Sequence, residues 1–405
     1  MGTPGWLSQS LLRLAQKLAG DVPVRFAGDG LAEESLEPAI VIRDPQVLRA
    51  LLLNPEIGFG DAYSKGQIEV EGDFVSLLEN LYRVPRHWSG RVTGRWLDWI
   101  QSNTPRGSRR NIHHHYDLSN DFYRLWLDRQ MVYTCAYFPK ADVTLEDAQT
   151  AKMDMVCRKV WLRPEETVVE AGCGWGALAL HMAGHYGVRV KAFNISHEQI
   201  VFARERARRE GLSSRVEFIE DDCRNIQGHF DAFVSVGMLE HLGPKNYVEF
   251  GRVIRRTIGA SGRGLLHFIG RSYPRAFSVW IRKRIFPGAY APSLQEAMNV
   301  LEPQDYGVLH VENLRGHYAK TLEHWLARFE QSYQAVVEKF GPSFARMWRL
   351  YLAGSIAAFR VGGLQLFQIV FAGNTCASQP STWSSLYAVE EEPQAQEKKW
   401  IHAMS

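Results

Sequence analysis

Three clusters of side chains have the types and spacing to do chemistry. The run Val168-Val-Glu-Ala-Gly172-Cys-Gly174-Trp-Gly176-Ala177 carries an apolar strand to an acid, through alternating glycines, into the helical run 178–183. Glycines so spaced let backbone approach a ligand with no Cβ in the way, and they accept positive φ. A strand, such a turn and a helix N-terminus form a cradle for a nucleotide-like molecule at the carboxyl edge of a parallel sheet. The spacing Glu-x-Gly-x-Gly-x-Gly is not the Gly-x-Gly-x-x-Gly of dinucleotide enzymes. The second cluster, Met238-Leu-Glu240-His241-Leu-Gly243, directly follows an apolar run read as a strand, where acid–base groups face such a cradle. The third is His113-His-His-Tyr-Asp117, followed by Met131-Val-Tyr133-Thr134-Cys135-Ala-Tyr137-Phe138. Three adjacent histidines cannot share one face, so no metal is expected there.

The elements that must position these groups follow from periodicity. A helix over 145–160, strand 167–170, helix 177–186, strand 188–193, helix 197–210 and strands 216–219 and 230–236 come in turn. Helix 245–258 and strand 264–268 complete the alternation, which predicts an α/β fold with a doubly wound, Rossmann-like sheet. An aromatic-rich helical insertion at about 270–360, with a closing strand at 367–371, is expected to roof the cradle. Residues 1–80 read as a small α+β module with helices at 6–19 and 47–53 and strands at 38–42 and 67–71. The catalytic domain is placed at 111–388, after a basic linker at 81–110 and before a tail at 389–405 expected to fray.

Composition sets outer bounds. With 405 residues, 45% apolar and 22% charged, the chain has the make-up of a globular protein, and a net charge of +3 gives no case for nucleic acid. From Arg83 to Arg110 seven arginines face one acid, Asp98, with Trp88, Trp96 and Trp99 among them. That segment is either a solvated linker or a dock for an anionic lipid surface. Five cysteines without a CxxC pair point to free thiols in a reducing cytoplasm. No stretch reaches the ~18 apolar residues of a membrane span and no signal peptide is evident, so any lipid is expected to be met from the surface.

The 170–176 loop is similar to the S-adenosylmethionine (SAM) loop of class I methyltransferases. A longer series of motifs, in order, resembles the cyclopropane-fatty-acid synthase family over about 35–375. It comprises His115-Tyr-Asp-Leu-x-Asn-Asp-Phe-Tyr123, Tyr133-Thr-Cys-Ala-Tyr-Phe138, the glycine turn, Glu240-His241 and His267-Phe-Ile-Gly270. Phe286-Pro-Gly288 and His317-Tyr318-x-x-Thr-Leu322 follow, and Asp61-Ala-Tyr63-x-x-Gly66 is similar to the N-terminal module of phospholipid-acting members.

The resemblance implies SAM held by Tyr133, Thr134, Glu170, Ala171, Gly172, Gly174, Gly176, Asn194, Ile195, Gln199 and Asp222. It implies bicarbonate beside the transferred methyl, held by Cys135, Glu240, His267, Tyr318 and the backbone amide of Ile269. The implied activity is methylene transfer to a cis double bond of a membrane phospholipid acyl chain, at the inner membrane face, with a homodimer as one option. Tyr116, Phe122, Tyr137 and Phe268 would offer aromatic faces to a passing cation. Arg282, Lys283 and Arg284 beside Trp280, Phe286 and Pro287 would form a second lipid-facing patch or a plain solvated one. Two departures stand out: Ser355 where some members carry cysteine, and Phe193-Asn194 where many carry Val/Leu-Thr. Methyl- or methylene-branched products, and a SAM-binding lipid-surface protein without turnover, are the alternatives.

Overall fold

The computed structural model describes residues 6–28, 37–84, 119–275, 277–377 and 379–387. The 113–115 histidines, Tyr116, most of the arginine-rich linker and the tail lie outside the described residues.

A small sheet of β1 (Val24–Phe26), β2 (Ala39–Ile42) and β3 (Ile68–Glu71) precedes the main one. The main sheet holds β4 (Thr167–Ala171), β5 (Arg189–Asn194), β6 (Val216–Glu220), β7 (Ala232–Val236), β8 (Arg263–Gly270), β9 (Tyr306–Asn313) and β10 (Gln365–Gly373). Its order is β6-β5-β4-β7-β8-β10-β9, parallel except for β10, which runs antiparallel to both neighbours. Chain order reverses at β4, which opens a crevice at its carboxyl end.

Period-two alternation explains why the strands are apolar throughout. Val168 and Val169 of β4 enter separate apolar clusters on opposite faces, as do Leu265 and Leu266 of β8. Helices Leu145–Lys159, Ala177–Tyr186 and His197–Arg209 cover one face, and Tyr247–Ile258 with Leu294–Leu301 the other.

The insertion is not wholly helical, because β9 lies within it. Of its eight residues only Tyr306 is buried, and His310, Glu312 and Asn313 make this edge strand read like a loop. In the N-terminal segment β1 and helices Pro55–Ser64 and Phe74–Arg83 also went unread; Gly58 and Gly60 mask the first of these helices. Helix Trp6–Ala19 buries Ala15 and Ala19, while Leu14 and Leu18 are 46% exposed.

The N-terminal segment shares one apolar cluster with the helical cover, from Leu48 and Leu77 through Phe122 and Trp126 to Trp348 and Ile356. The segment 278–284 and helix Pro342–Arg360 bind it. Glu56 accepts from Ser278 and from the Trp280 amide, and Arg284 pairs with Asp61. Trp280 and Arg282 are buried, which takes these two out of the expected surface patch, while Lys283 and Arg284 are exposed.

Arg346 is the central tie. Its guanidinium donates to Tyr63 O at 2.6 Å and Ile68 O at 2.8 Å, pairs with Glu69 at 3.0 Å and stacks 4.2 Å from the Tyr63 ring. Arg346→Ala strips two carbonyls of their donor and is expected to cost about 2–4 kcal/mol. Urea denaturation would read the loss, and limited proteolysis would show cleavage beginning in residues 37–84.

Candidate active site

The glycine turn at the end of β4 has φ of 88°, 53° and 84° at Gly172, Gly174 and Gly176. The amides of Gly172 and Cys173 both donate to Phe193 O, at 2.9 and 3.0 Å, folding the turn over the end of β5. A Cβ on Gly172 would lie 2.9 Å from Met238 Cγ, and one on Gly176 2.6 Å from the Phe218 ring. A Cβ on Gly174 would meet nothing within 4 Å.

Gly174 borders a cavity that is also lined by Tyr133, Thr134, Glu170, Gly172, Asn194, Ile195, Gln199 and Asp222. Ala171 and Gly176 do not line it. Ala171 is buried in the core, its carbonyl taken by Ser235 Oγ, and Gly176 packs beneath the turn. Asn194 Nδ2 donates to Gln199 Oε1 at 2.7 Å and to Gly174 O at 3.2 Å, which ties the second strand end to the turn. Burial alone would raise the Asp222 pKa, but the Arg224 guanidinium and amide outweigh it and hold it low. Asp222 is therefore an ionised wall group committed to Arg224, at 2.6–3.0 Å. Lys152, Trp175, Met238 and His241 also line the cavity.

Opposite the turn, the loop 131–138 is held through its backbone. Asp128 accepts from the amides of Gln130 and Val132, at 2.8 and 2.9 Å. Gln149 donates to Thr134 O at 2.8 Å and Lys152 to Thr134 Oγ1 at 2.9 Å. The Ala136 amide donates to Thr321 Oγ1 at 3.0 Å. Tyr133 shares a 2.8 Å hydroxyl contact with Tyr351 and packs its ring against Tyr123, Trp126 and Trp325.

Two of the five expected anion-holding positions meet directly. The Gly237 amide donates to His267 O at 2.8 Å, so the turn after β7 lies against β8, and the Ile269 amide donates to Glu240 Oε1 at 2.6 Å. That amide is engaged by Glu240 itself. Glu240 Oε2 is buried with no hydrogen-bond partner, and burial lifts the carboxyl to about 7, the Ile269 amide pulling the other way.

His267 lies two residues before Ile269, on the same face of β8. Lys159 donates to Gln368 Oε1 at 2.6 Å, which turns the Gln368 amide nitrogen toward His267 Nδ1 at 2.9 Å. An amide nitrogen only donates, so Nδ1 accepts and the proton of the neutral ring sits on Nε2. Burial, with Lys152 and Lys159 adding to it, holds this ring well below the ordinary histidine pKa, and Nε2 has no partner.

Cys135 is fully buried, and burial pushes its thiol pKa far up despite a hydrogen bond with Thr321. Tyr318 stands one turn before Thr321 on helix Arg315–Gln331, its ring 4.6 Å from Phe359. The Lys152 charge acts on both Cys135 and His267.

Two of the aromatic candidates are core. Phe122 is enclosed by Trp126, Phe340, Phe344 and Trp348, and Phe268 points to the opposite face of β8 from His267. Tyr137 stacks on His317, 4.7 Å away. The sequence reading missed Gln149, Lys152, Lys159, Gln368 and Thr321. A signal existed: Leu145, Ala148, Lys152, Met155 and Lys159 follow one helical stripe, placing two cations where apolar residues belong.

A doubly wound sheet of this order, with a glycine turn whose open side faces a cavity and a buried carboxylate, Glu170, at its mouth, defines a class I SAM-dependent methyltransferase. The family profile described as mycolic acid cyclopropane synthetase matches residues 103–369. The cyclopropane-fatty-acyl-phospholipid synthase of Escherichia coli is 36% identical over 356 residues, covering 85% of this chain and 90% of that protein. A probable fatty acid methyltransferase of Pseudomonas putida is 34% identical, covering 83% of this chain and 87% of its own. The crystal structure of mycolic acid cyclopropane synthase CmaA1 complexed with S-adenosylhomocysteine and CTAB superposes with a TM-score of 0.62. It has 30% identity and covers 65% of this chain and 97% of that one. This chain belongs to the mycolic acid cyclopropane synthetase family, and it is a SAM-dependent methyltransferase of the cyclopropane-fatty-acyl-phospholipid synthase type.

Proposed function

We propose that the enzyme adds a methylene unit to a cis double bond of a phospholipid acyl chain and closes a cyclopropane ring, with bicarbonate as the base. The observation that carries this reading is the pair of buried, unpartnered atoms Glu240 Oε2, on the short helix Leu239–Leu242 after β7, and His267 Nε2, on β8. They fit a small oxyanion that both donates and accepts a proton.

When bound, SAM supplies an electrophilic methyl on a sulfonium, and bicarbonate supplies a base too weak to trap a carbocation. The protein's part is to hold, orient and dry. His267, fixed as the Nε2–H tautomer, donates to the anion without surrendering its proton. Cys135, kept a thiol by burial, donates by turning its S–H to the anion from Ala136 O, 3.1 Å away, and cannot attack a cationic acyl chain as a thiolate would. The Tyr318 hydroxyl and the Ile269 amide complete the ring of donors, the amide by exchanging its Glu240 contact. Glu240 Oε2, near pKa 7, receives the proton and passes charge outward. Tyr133, Trp325 and their aromatic neighbours wall the site against water. SAM contacts are assigned to the eleven cradle and loop residues named above, with Ala171 and Gly176 acting through the shape of the turn.

A second reading, methyl- or methylene-branched acyl product, is favoured by the P. putida relative and by the tuberculostearic acid methyltransferase UfaA1 of Mycobacterium tuberculosis, 31% identical over 88% of this chain. Vesicles of cis-unsaturated phospholipid with labelled SAM separate the outcomes. Ring closure adds CH2, consumes the olefin and leaves no new reducible double bond; a branched product fails one of these tests. Label-free lipid despite SAM binding would identify a protein without turnover. No helix among the described residues is long and apolar enough to cross a membrane. We place the enzyme peripherally on the inner membrane face in the cytoplasm, with residues 1–80 serving lipid contact or dimerisation.

A further inference from the structure

Lys152 is a buried charged group of the cavity wall that the roles above leave without a task. Its side chain is 2% exposed, it lines the cavity, and among the described residues its ammonium makes one hydrogen bond, to Thr134 Oγ1 at 2.9 Å. No carboxylate of the described residues stands within ion-pair distance of it. An ammonium has three donors, and burying one so sparsely met is costly unless an anion comes to it. Burial draws its pKa down only to about 8, so it is still protonated at neutral pH.

Across the same cavity, Glu170 at the end of β4 is equally buried, and its Oε2 has no hydrogen-bond partner. A buried cation and a buried carboxyl thus line one cavity, each with open valence and outside ion-pair distance of the other. Burial lifts Glu170 to about 8 against the pull of Lys152, so the cavity alone holds it as the acid and an arriving ammonium would ionise it. That arrangement suits a zwitterion lying between them. We propose that Lys152 binds the α-carboxylate of the methionine end of SAM and reads that end as a zwitterion together with Glu170. The inference rests on the SAM reading of the cavity. Bicarbonate is the competing anion, since Cys135 and His267 feel the Lys152 charge. Lys152, Thr134 and Glu170 line the cavity, however, whereas Cys135 and His267 do not, which favours the cofactor's carboxylate.

Calorimetric titration of the full chain with S-adenosylhomocysteine and with its decarboxylated analogue tests this directly. Wild type should prefer the carboxylate-bearing ligand by roughly 30-fold or more, the span of a charge-assisted hydrogen bond. Lys152→Met, an apolar side chain of similar length, should remove most of that preference while binding the analogue within about 3-fold of wild type. Lys152→Arg, which keeps the charge, should retain part of the preference and covers the case of a poorly folded Met variant. Equal weakening of both ligands in a folded Lys152→Met protein overturns the proposal, as does an unchanged preference. So does unaltered homocysteine-nucleoside binding with a raised bicarbonate requirement, which would hand Lys152 to the other anion. Wild type binding neither nucleoside would instead bring down the SAM reading beneath it.

Discussion

Gly174→Val is expected to remove SAM and S-adenosylhomocysteine binding, weakening it at least 100-fold, in a protein that still folds. The three turn glycines share positive φ but differ in what surrounds them. A side chain at Gly176 would be driven into Phe218 and Ala203, and one at Gly172 into Met238. Valine at either of these damages packing and should cost several kcal/mol. At Gly174 a Cβ meets no protein atom within 4 Å, and the residue lines the cavity, so the valine is expected to fill ligand space instead. The residual cost there is the left-handed backbone, φ 53°, about 1–2 kcal/mol for a β-branched residue. Calorimetry and thermal melts side by side therefore separate the positions: Gly176→Val loses its transition, Gly174→Val keeps it and loses the ligand. Binding within 3-fold of wild type in Gly174→Val would move the cofactor out of this cavity.

The cradle was legible because its requirements are local. A strand of valines, a turn of alternating glycines and an apolar helix announce themselves within ten residues, and β4, β5 and β6 end within a residue or two of where periodicity put them. Strand β9 was not legible because an edge strand need not be apolar, and His310 and Glu312 hide it. The buried polar lattice was harder still. Lys159 and Gln368 lie 209 positions apart in the chain, and only the antiparallel insertion of β10 beside β8 brings Gln368 to His267. Arg282 failed in the opposite direction: a run of three cations reads as surface, yet Arg282 is 4% exposed. Motif resemblance reached His267 and Glu240 but could not tell which histidine nitrogen holds the proton or which carboxylate oxygen is spare. Those facts come from packing.

Glu240→Gln is expected to lower turnover at least 100-fold, leave SAM binding within 2-fold and raise stability at alkaline pH. The amide oxygen of glutamine still accepts the Ile269 N–H, so the strand ends stay in place, and Glu240 does not line the cofactor cavity. What is lost is a proton acceptor, and general base catalysis of this kind is worth 10²–10⁴-fold. The stability effect follows from the raised carboxyl. Burial lifts Glu240 from 4.5 to about 7, so the folded state holds this proton more tightly than the unfolded chain. Its stabilisation is complete below pH 4.5 and drains away as pH rises through 7, by up to about 3 kcal/mol for a shift of this size. Glutamine carries no charge to bury, so the variant should match wild type near pH 5 and exceed it at pH 8 by 1–3 kcal/mol in urea titrations. Activity should move the other way: wild-type turnover falls as pH drops through 7 and Glu240 protonates, whereas the residual rate of the variant is flat there. A variant that keeps full turnover at low bicarbonate would show that the proton leaves by another route, and an unchanged alkaline stability would show that Glu240 is not the buried acid its surroundings describe.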